Sequence, residues 1–374
     1  MIGNGFSRHR HPIVWLCTVL GYSLWLAATT AAAEPERKYV MNAAGERPKP
    51  MIAVDNVCAW PNLTLLRDGT IVATIHNQPF HLKRPADVDC WVSEDAGKTW
   101  TKRGTPAPRD NERAARGNVA AGLAKNGDLI VISSGWSDPV AKNRGESLHP
   151  LVSRSADGGR TWTITDDAFK AAWPEVGADK KKRYLVPFGD ILQGGDGALR
   201  VAMYGGQKGI TAVYRSDDDG KTWDTPTIVN QDATIHEPAF LHLGKGKWLL
   251  AARLDGLDLY TSDDDAKTWT HQQKLTGRQQ HPGHLLRLKD GRLLLSYGNR
   301  LDPKGVDVRL SDDEGATWGN PLRVADFLHD GGYPSSVQLR DGRVLTAYYA
   351  RQIEGHDRYH MGVVVWDPAN TSGL

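Results

Sequence analysis

The chain has 374 residues, with 46 Lys and Arg against 44 Asp and Glu and a formal net charge of +2. A balance this close to neutral, with one dense basic run at residues 180–183 that reads as a solvated loop, excludes the basic stripe that nucleic-acid binding needs. Three cysteines, without His partners at ligand spacing, exclude a zinc site, and no cofactor or metal is expected.

The first residues read as a leader rather than as part of a fold. Arg8-His9-Arg10-His11 gives a basic start, residues 12–26 are mostly apolar, and Ala31-Ala32-Ala33 precedes Glu34. The apolar run is too short to span a bilayer and ends in small residues, so residues 1–33 are expected to be a cleaved secretory signal peptide. Cys17 has no small residues around it, so no lipid anchor is expected. The mature protein is expected to be secreted or periplasmic, without a membrane anchor. Residues 34–50 read as a linker, and residues 51–374 as a single domain.

Two repeats interleave through that domain. The first is an apolar strand, a Gly turn and another apolar strand, as in LTLLRDGTIVATI around Gly69. Five further copies centre on Gly127, Gly197, Gly246, Gly291 and Gly342. Gly-containing turns between β-rich runs are hairpin signals. The second repeat is Ser-x-Asp-x-Gly-x-Thr-Trp. It reads SEDAGKTW (residues 93–100), SADGGRTW (155–162), SDDDGKTW (216–223), SDDDAKTW (262–269) and SDDEGATW (311–318). The Gly supplies a turn position with positive φ, Asp and Ser can bond turn amides, and the Trp can plug the space beneath. Such turns are expected to latch strands together. A calcium cage would need about 6–8 oxygens. Ala266 replaces the Gly in the fourth copy, so strain or rearrangement is expected there.

Strand, turn, strand, loop, strand, Asp-rich turn, strand is a four-stranded antiparallel unit. Repeated six times, it predicts an all-β, six-bladed β-propeller. The sixth hairpin has no Asp-rich turn after it, only one more strand near residues 361–366. A strand near residues 51–57 is expected to complete the last blade and so remove the free sheet edges. Cys58 would lead into the first strand of blade one and Cys90 would open its third, about two strand spacings of ~4.8 Å apart. Two buried thiols are the expectation, with a disulfide closed by loop movement as the alternative.

In such a propeller the loops before each first strand, and those after each second strand, gather on one face around the central channel. The first set holds Asn62, Arg113, Arg116, Asn118, Asp190, His236, Glu237, His281, His284, Asp330 and Tyr333. The second holds His76, Asp87, Asp89, Trp136, Tyr204, Arg253, Arg300 and Tyr349. Charged and aromatic residues gathered at one funnel point to an acidic sugar or another anionic ligand. Trp136 could stack on a sugar ring.

At these residues the chain resembles the sialidase (neuraminidase) superfamily. HEPAFLHLGKGKWLLAAR sets Glu237 and Arg253 where the family has its catalytic Glu and the second arginine of a carboxylate-binding triad. Arg300, between a hairpin and the next Asp-rich turn, matches the third arginine, and Tyr333 in GGYPSSVQL matches the nucleophilic tyrosine. The first triad arginine is missing, since Ala59 occupies its position in Cys58-Ala59-Trp60-Pro61. Arg116, or else Arg113, is the candidate replacement.

The resemblance implies an exo-acting glycosidase of a monomeric kind, acting on a glycan or glycoconjugate. Tyr333 would be the nucleophile, relieved of its proton by Glu237, because a carboxylate nucleophile would be repelled by a sugar bearing its own carboxylate. Arg253 and Arg300 would hold that carboxylate in bidentate fashion. Asp87 or Asp89 would be the general acid, with His76 and His81 as nearby alternatives. His236 and His281 would line the substrate pocket. The vacated arginine keeps two further readings open: a uronate-directed hydrolase or lyase on the same fold, and a non-catalytic glycan-binding propeller.

Overall fold

The computed structural model describes residues 38–142, 144–169, 184–205, 209–224, 226–230 and 234–371, and the backbone alone of residues 175–176 and 182–183. The expected leader lies outside the described residues, and of the basic run at 180–183 only two backbone positions lie within them. Among the described residues no helix is long and apolar enough to cross a membrane.

The fold is an all-β propeller. β1 (Met51–Asp55) precedes a first antiparallel unit of β2 (Asn62–Leu65), β3 (Ile71–His76), β4 (Val88–Ser93) and β5 (Thr101–Ala107). The second unit is β6 (Ala115–Leu123), β7 (Leu129–Trp136), β8 (Leu151–Ser155) and β9 (Thr163–Thr165). A ribbon of β10 (Glu175–Val176) and β11 (Lys182–Arg183) comes next. The third unit is β12 (Leu185–Gln193), β13 (Leu199–Gly205), β14 (Ile210–Ser216) and β15 (Thr227–Asn230). The fourth is β16 (His236–Gly244), β17 (Lys247–Arg253), β18 (Leu257–Ser262) and β19 (Thr270–Lys274). The fifth is β20 (Gln280–Arg287), β21 (Leu293–Asn299), β22 (Gly305–Ser311) and β23 (Leu322–Asp326). β24 (Gly331–Gln338), β25 (Val344–Ile353) and β26 (His356–Trp366) form the last sheet, with β1 antiparallel on β26 as its outer strand.

The first strand of each unit packs on the next in cyclic order: β2 on β6, β6 on β12, β12 on β16, β16 on β20, β20 on β24, and β24 on β2. Apolar clusters fill the wedges between successive units, such as Val54, Ile71, Ile75, Leu345 and Val363 between the last and the first. Six separate sheets were the sequence expectation, but the second and third units share one eight-stranded sheet. β6 and β12 pair in parallel, with Ile191 opposite Gly122. The reason is local: a Cβ on Gly122 would stand 2.2 Å from the Ile191 carbonyl oxygen, so only glycine lets the two backbones meet. Part of the expected linker is also docked. Val40 is fully buried and donates its amide to the Arg323 carbonyl at 3.0 Å.

The Asp-rich turns are hydrogen-bonded latches. In the first, Ser93 Oγ donates to Asp95 at 2.8 Å and accepts from the Gly97 amide, also at 2.8 Å. Asp95 accepts from the Thr99 amide at 2.9 Å and hydroxyl at 2.6 Å, and Trp100 Nε1 closes the turn on the Gly97 carbonyl at 3.1 Å. The fourth copy keeps the turn but is strained: Ala266 is held at φ 64°, and the Trp269 indole N–H finds no partner. Cys58 and Cys90 are both buried free thiols. Cys90 faces Gly159 of the second Asp-rich turn rather than Cys58, and burial pushes its thiol up to about 12.

Two outcomes follow from these contacts. Gly122→Ala should destabilise the protein by about 1–3 kcal/mol, because β6 and β12 must separate to admit the methyl group. A lowered midpoint in urea denaturation checks this, and an unchanged midpoint refutes it. The Thr99 hydroxyl and the turn amides lower the Asp95 carboxyl to about 2. At Asp264 partial burial pushes the other way, and the Thr268 hydroxyl and amide outweigh it, again giving about 2. A folded value below the unfolded one means stability that is fully present above about pH 4 and lost as pH falls toward 2. The urea midpoint should therefore be flat from pH 6 to about 4 and fall below it.

Candidate active site

The first strands of the units carry the site because they are irregular at the end that opens it. In β16 the ladder runs from His236 opposite Arg253 and resumes at Ala239, with a register shift between. Glu237 sits in that shift at φ 46°. β24 has the same break between Gly332 and Ser335, with Tyr333 at φ 52°, and β20 has it between Gln280 and Gly283, around His281. A bulge turns a side chain out of its ladder face, and here it turns Glu237 and Tyr333 toward one another. Each of these residues precedes a proline, as does Trp60, which stands at φ 57° before Pro61. A non-glycine residue at positive φ costs about 1–3 kcal/mol and persists only where its surroundings over-determine it.

A continuous polar chain runs through the pocket. Tyr333 Oη donates to Glu237 Oε1, and Glu237 Oε2 accepts from Arg253 Nη1 at 2.9 Å. Tyr333 and Glu237 are both buried, while Arg253 is partly open to solvent. Arg300 Nη1 donates to the His281 carbonyl, and its guanidinium lies 5.6 Å from the centre of the Tyr333 ring. Trp60, Phe188, Tyr349 and His81 surround that ring at centroid distances of 5.8, 6.1, 5.7 and 6.4 Å. Behind His81 stands Asp330, 3.6 Å from Nδ1, which also accepts from the hydroxyls of Tyr349 at 3.1 Å and Tyr359 at 3.0 Å. Burial pushes the Asp330 carboxyl up, but His81 and the two hydroxyls outweigh it and hold it at about 2.

Burial and the adjoining Glu237 charge raise the Tyr333 phenol well above its ordinary value. Burial, with Arg253 and Arg300 nearby, lowers His281 to about 3, so it is neutral at physiological pH. His236 is lowered by burial as well.

The cavity over this chain has a volume of about 350 Å³. Its walls include Tyr333, Glu237, Arg253, His236, Trp136, Asn118, Tyr204 and His81, all named from the sequence, together with Trp60, Tyr184 and Arg144. Asn62 lies deeper in the channel, bonded to the Gly189 carbonyl at 2.8 Å and Asp190 at 3.1 Å. A wider groove of about 580 Å³ between the fourth and fifth Asp-rich turns, lined by Lys247, Asp263, Asp313 and Glu314, holds none of the expected site residues.

Seven expected residues are absent from the cavity walls: Asn62, His281 and Arg300, placed above, and Asp87, Asp89, Arg113 and Arg116. Asp87 is engaged by the Arg109 amide at 2.8 Å and its guanidinium at 3.6 Å. Asp89 is buried against Lys102 and the Thr105 hydroxyl, each at 2.9 Å. Arg113 is 76% exposed and pairs with Asp138. Arg116 is buried and spent on the His149 carbonyl at 2.7 Å, the Ser133 carbonyl at 3.2 Å and Asp110 at 2.6 Å. Among the described residues, the cation that the cavity holds besides Arg253 is Arg144, from the loop after β7, with its guanidinium 5.9 Å from the Trp136 ring centre. Ala59 is fully buried. Among the described residues no group of three or more His, Cys, Asp or Glu could hold a metal ion.

The raised phenol gives a direct check. The difference in 295 nm absorbance between the wild type and Tyr333→Phe should show no ionising tyrosine as pH rises through about 10, the ordinary midpoint. A difference signal with an ordinary midpoint would show that Tyr333 is not sealed against Glu237.

Comparison with known proteins agrees with the architecture. The family described as a BNR repeat-like domain matches residues 64–346. No curated protein matches the chain. Among solved structures, a protein of unknown function from Dyadobacter fermentans DSM 18053 is similar at 25% identity and a TM-score of 0.71, covering 85% of this chain and 98% of that one. The K499G mutant of NanB sialidase from Streptococcus pneumoniae is similar at 13% identity and 0.65, covering 87% and 71%. Trypanosoma rangeli sialidase in complex with sialic acid is similar at 17% identity and 0.63, covering 88% of this chain and 56% of that one. With the repeat-like domain spanning most of the described propeller, the chain belongs to the BNR repeat-like domain family.

Proposed function

We propose that this protein is a secreted or periplasmic glycoside hydrolase of sialidase type, a six-bladed propeller closed by β1 that removes a terminal acidic sugar from a glycan. The observation that carries the reading is the chain Tyr333–Glu237–Arg253 at the floor of the cavity. It supplies a neutral nucleophile, a base in contact with it, and a cation that orients the base. The cyclic packing of the first strands and the pairing of β1 with β26 support the ring and its closure.

Tyr333 Oη attacks the anomeric carbon and passes its proton to Glu237. The bond to the leaving oxygen breaks, and that oxygen takes a proton from His81, whose other nitrogen faces Asp330. Water then attacks the glycosyl–tyrosine bond, giving a proton to His81, while Tyr333 recovers its own from Glu237. Two displacements at one carbon retain its configuration. Arg253 and Arg144 hold the sugar carboxylate; Arg300, first assigned to that role, is outside the cavity lining and bonded to the His281 carbonyl beside the Tyr333 ring. His81 takes the acid role first assigned to Asp87 or Asp89, because it lines the cavity beside Tyr333.

The second reading, a hydrolase or lyase acting on a uronate, is favoured by Ala59 in place of the first triad arginine. A screen of the purified protein on fluorogenic sialosides and uronides decides between them. The expected result is release from a sialoside, lowered about 100-fold or more by Glu237→Gln and by His81→Ala, and lost in Tyr333→Phe. Cleavage of uronides alone supports the second reading. No turnover of either, with retained glycan binding, refutes both.

A further inference from the structure

A second cleft, of about 600 Å³, adjoins the cavity and shares His81 with it as a common wall. Its lining is strongly cationic: Lys83, Arg84, Arg351 and Arg358 are all exposed, against one acidic residue, Asp357. Arg84 lies over the Phe80 ring at 3.8 Å, and Arg351 stands 5.7 Å from the Tyr359 ring centre. Arg358 is anchored to Asp55 of β1. Three elements therefore converge there: the loop after β3, the far end of the β25–β26 hairpin, and β1. The chain as a whole is nearly neutral, so a local excess of this size is a feature of the cleft.

The position of His81 sets what the cleft faces. A group that protonates the leaving oxygen must stand on the leaving-group side of the cleaved bond. The cleft opens beyond that same ring.

We propose that this cleft is a binding subsite for an anionic leaving group, one that carries a sulfate or a carboxylate on the sugar next to the released residue. The assignment rests on the hydrolase reading for its orientation, though not for its charge selectivity. Lys83 and Arg351 are the contacts that the oxyanion would meet, both exposed at the cleft wall. Tyr359, which also bonds Asp330, supplies a flat apolar face for the sugar ring. Selection would then operate on two charges, one on each side of the scissile bond.

The test measures binding first. Calorimetric titration of the full chain would use N-acetyllactosamine, its 6′-sulfate (on the galactose), and a glucuronosyl-N-acetylglucosamine disaccharide. The expected result is at least about tenfold tighter binding of an anionic disaccharide than of the neutral one, with the preference shrinking as salt is raised. The sulfate and carboxylate arms tell the two sources apart. Lys83→Ala combined with Arg351→Ala should erase the preference, while Lys83→Arg should keep it. Both side chains are exposed, and an unchanged thermal midpoint confirms that the variants fold. In a second arm, the wild type should cleave a sialyl-lactosamine sulfated at the galactose 6-position with higher kcat/KM than the unsulfated one, and the ratio should fall toward one in the double variant. Equal affinity for neutral and anionic disaccharides, or a preference untouched in the double variant, overturns the subsite. If no sialoside is cleaved while the binding preference stands, the hydrolase reading fails and the anion site survives.

Discussion

The structure depends on how closely neighbouring first strands can approach around the central channel. Where they touch, side chains are absent by necessity. Gly122 of β6 meets the Ile191 carbonyl of β12. Elsewhere the ladders of the first strands break register, at His236–Ala239, Gln280–Gly283 and Gly332–Ser335. At that level Gly298 of β21 lies so close to β20 and β24 that a Cβ on it would stand 3.0 Å from the His281 carbonyl and 3.1 Å from the Gly332 Cα. The candidate site is thus a product of the packing, with the side chains released by the bulges converging over the channel.

That convergence places charges where they cannot be hydrated freely, and the protein answers each with a partner. Glu237 is flanked by a phenol and a guanidinium. Asp330 receives two tyrosine hydroxyls and faces His81. Away from the channel, Arg323 is completely buried between Asp307 and Asp326, a pair-and-a-half that holds the outer strand β23 to β22. Breaking a buried pair by removing one member costs far more than the pair contributes, so such networks specify geometry more than they add stability. The polar groups of the pocket are correspondingly oriented by one another before any ligand arrives.

Much of this was legible in the sequence. The five Ser-x-Asp-x-Gly-x-Thr-Trp turns and the six Gly hairpins spelled out the repeating unit, and Glu237, Arg253 and Tyr333 could be located by their offsets from those markers. Other assignments failed for a physical reason. Strand alternation has a period of two, and one bulge reverses it. Arg116 sits directly at the register shift between Arg116 and Asn118, so its face could not be read, and it turns into the sheet interior. Asp87 and Asp89 are spoken for by Arg109 and Lys102, which come from a strand and loop that spacing alone does not bring near. Arg144 lies in a loop outside both repeats, with nothing local to flag it. One signal was present and unused: Trp60, Glu237, His281 and Tyr333 each precede a proline at the mouth of a first strand.

The pairing of β1 with β26 has a consequence for how the protein is made. Asp55 and Arg358 are 303 residues apart in the chain and meet across this seam. The final sheet therefore cannot assemble in full until β26 has been synthesised, and every earlier stage leaves β1 without its partner strand. Closing so long a loop is entropically costly and makes folding slow. A nascent chain of this design keeps β1 unpaired until β26 emerges, so a truncation near residue 360 would cost β1 its place in the last sheet.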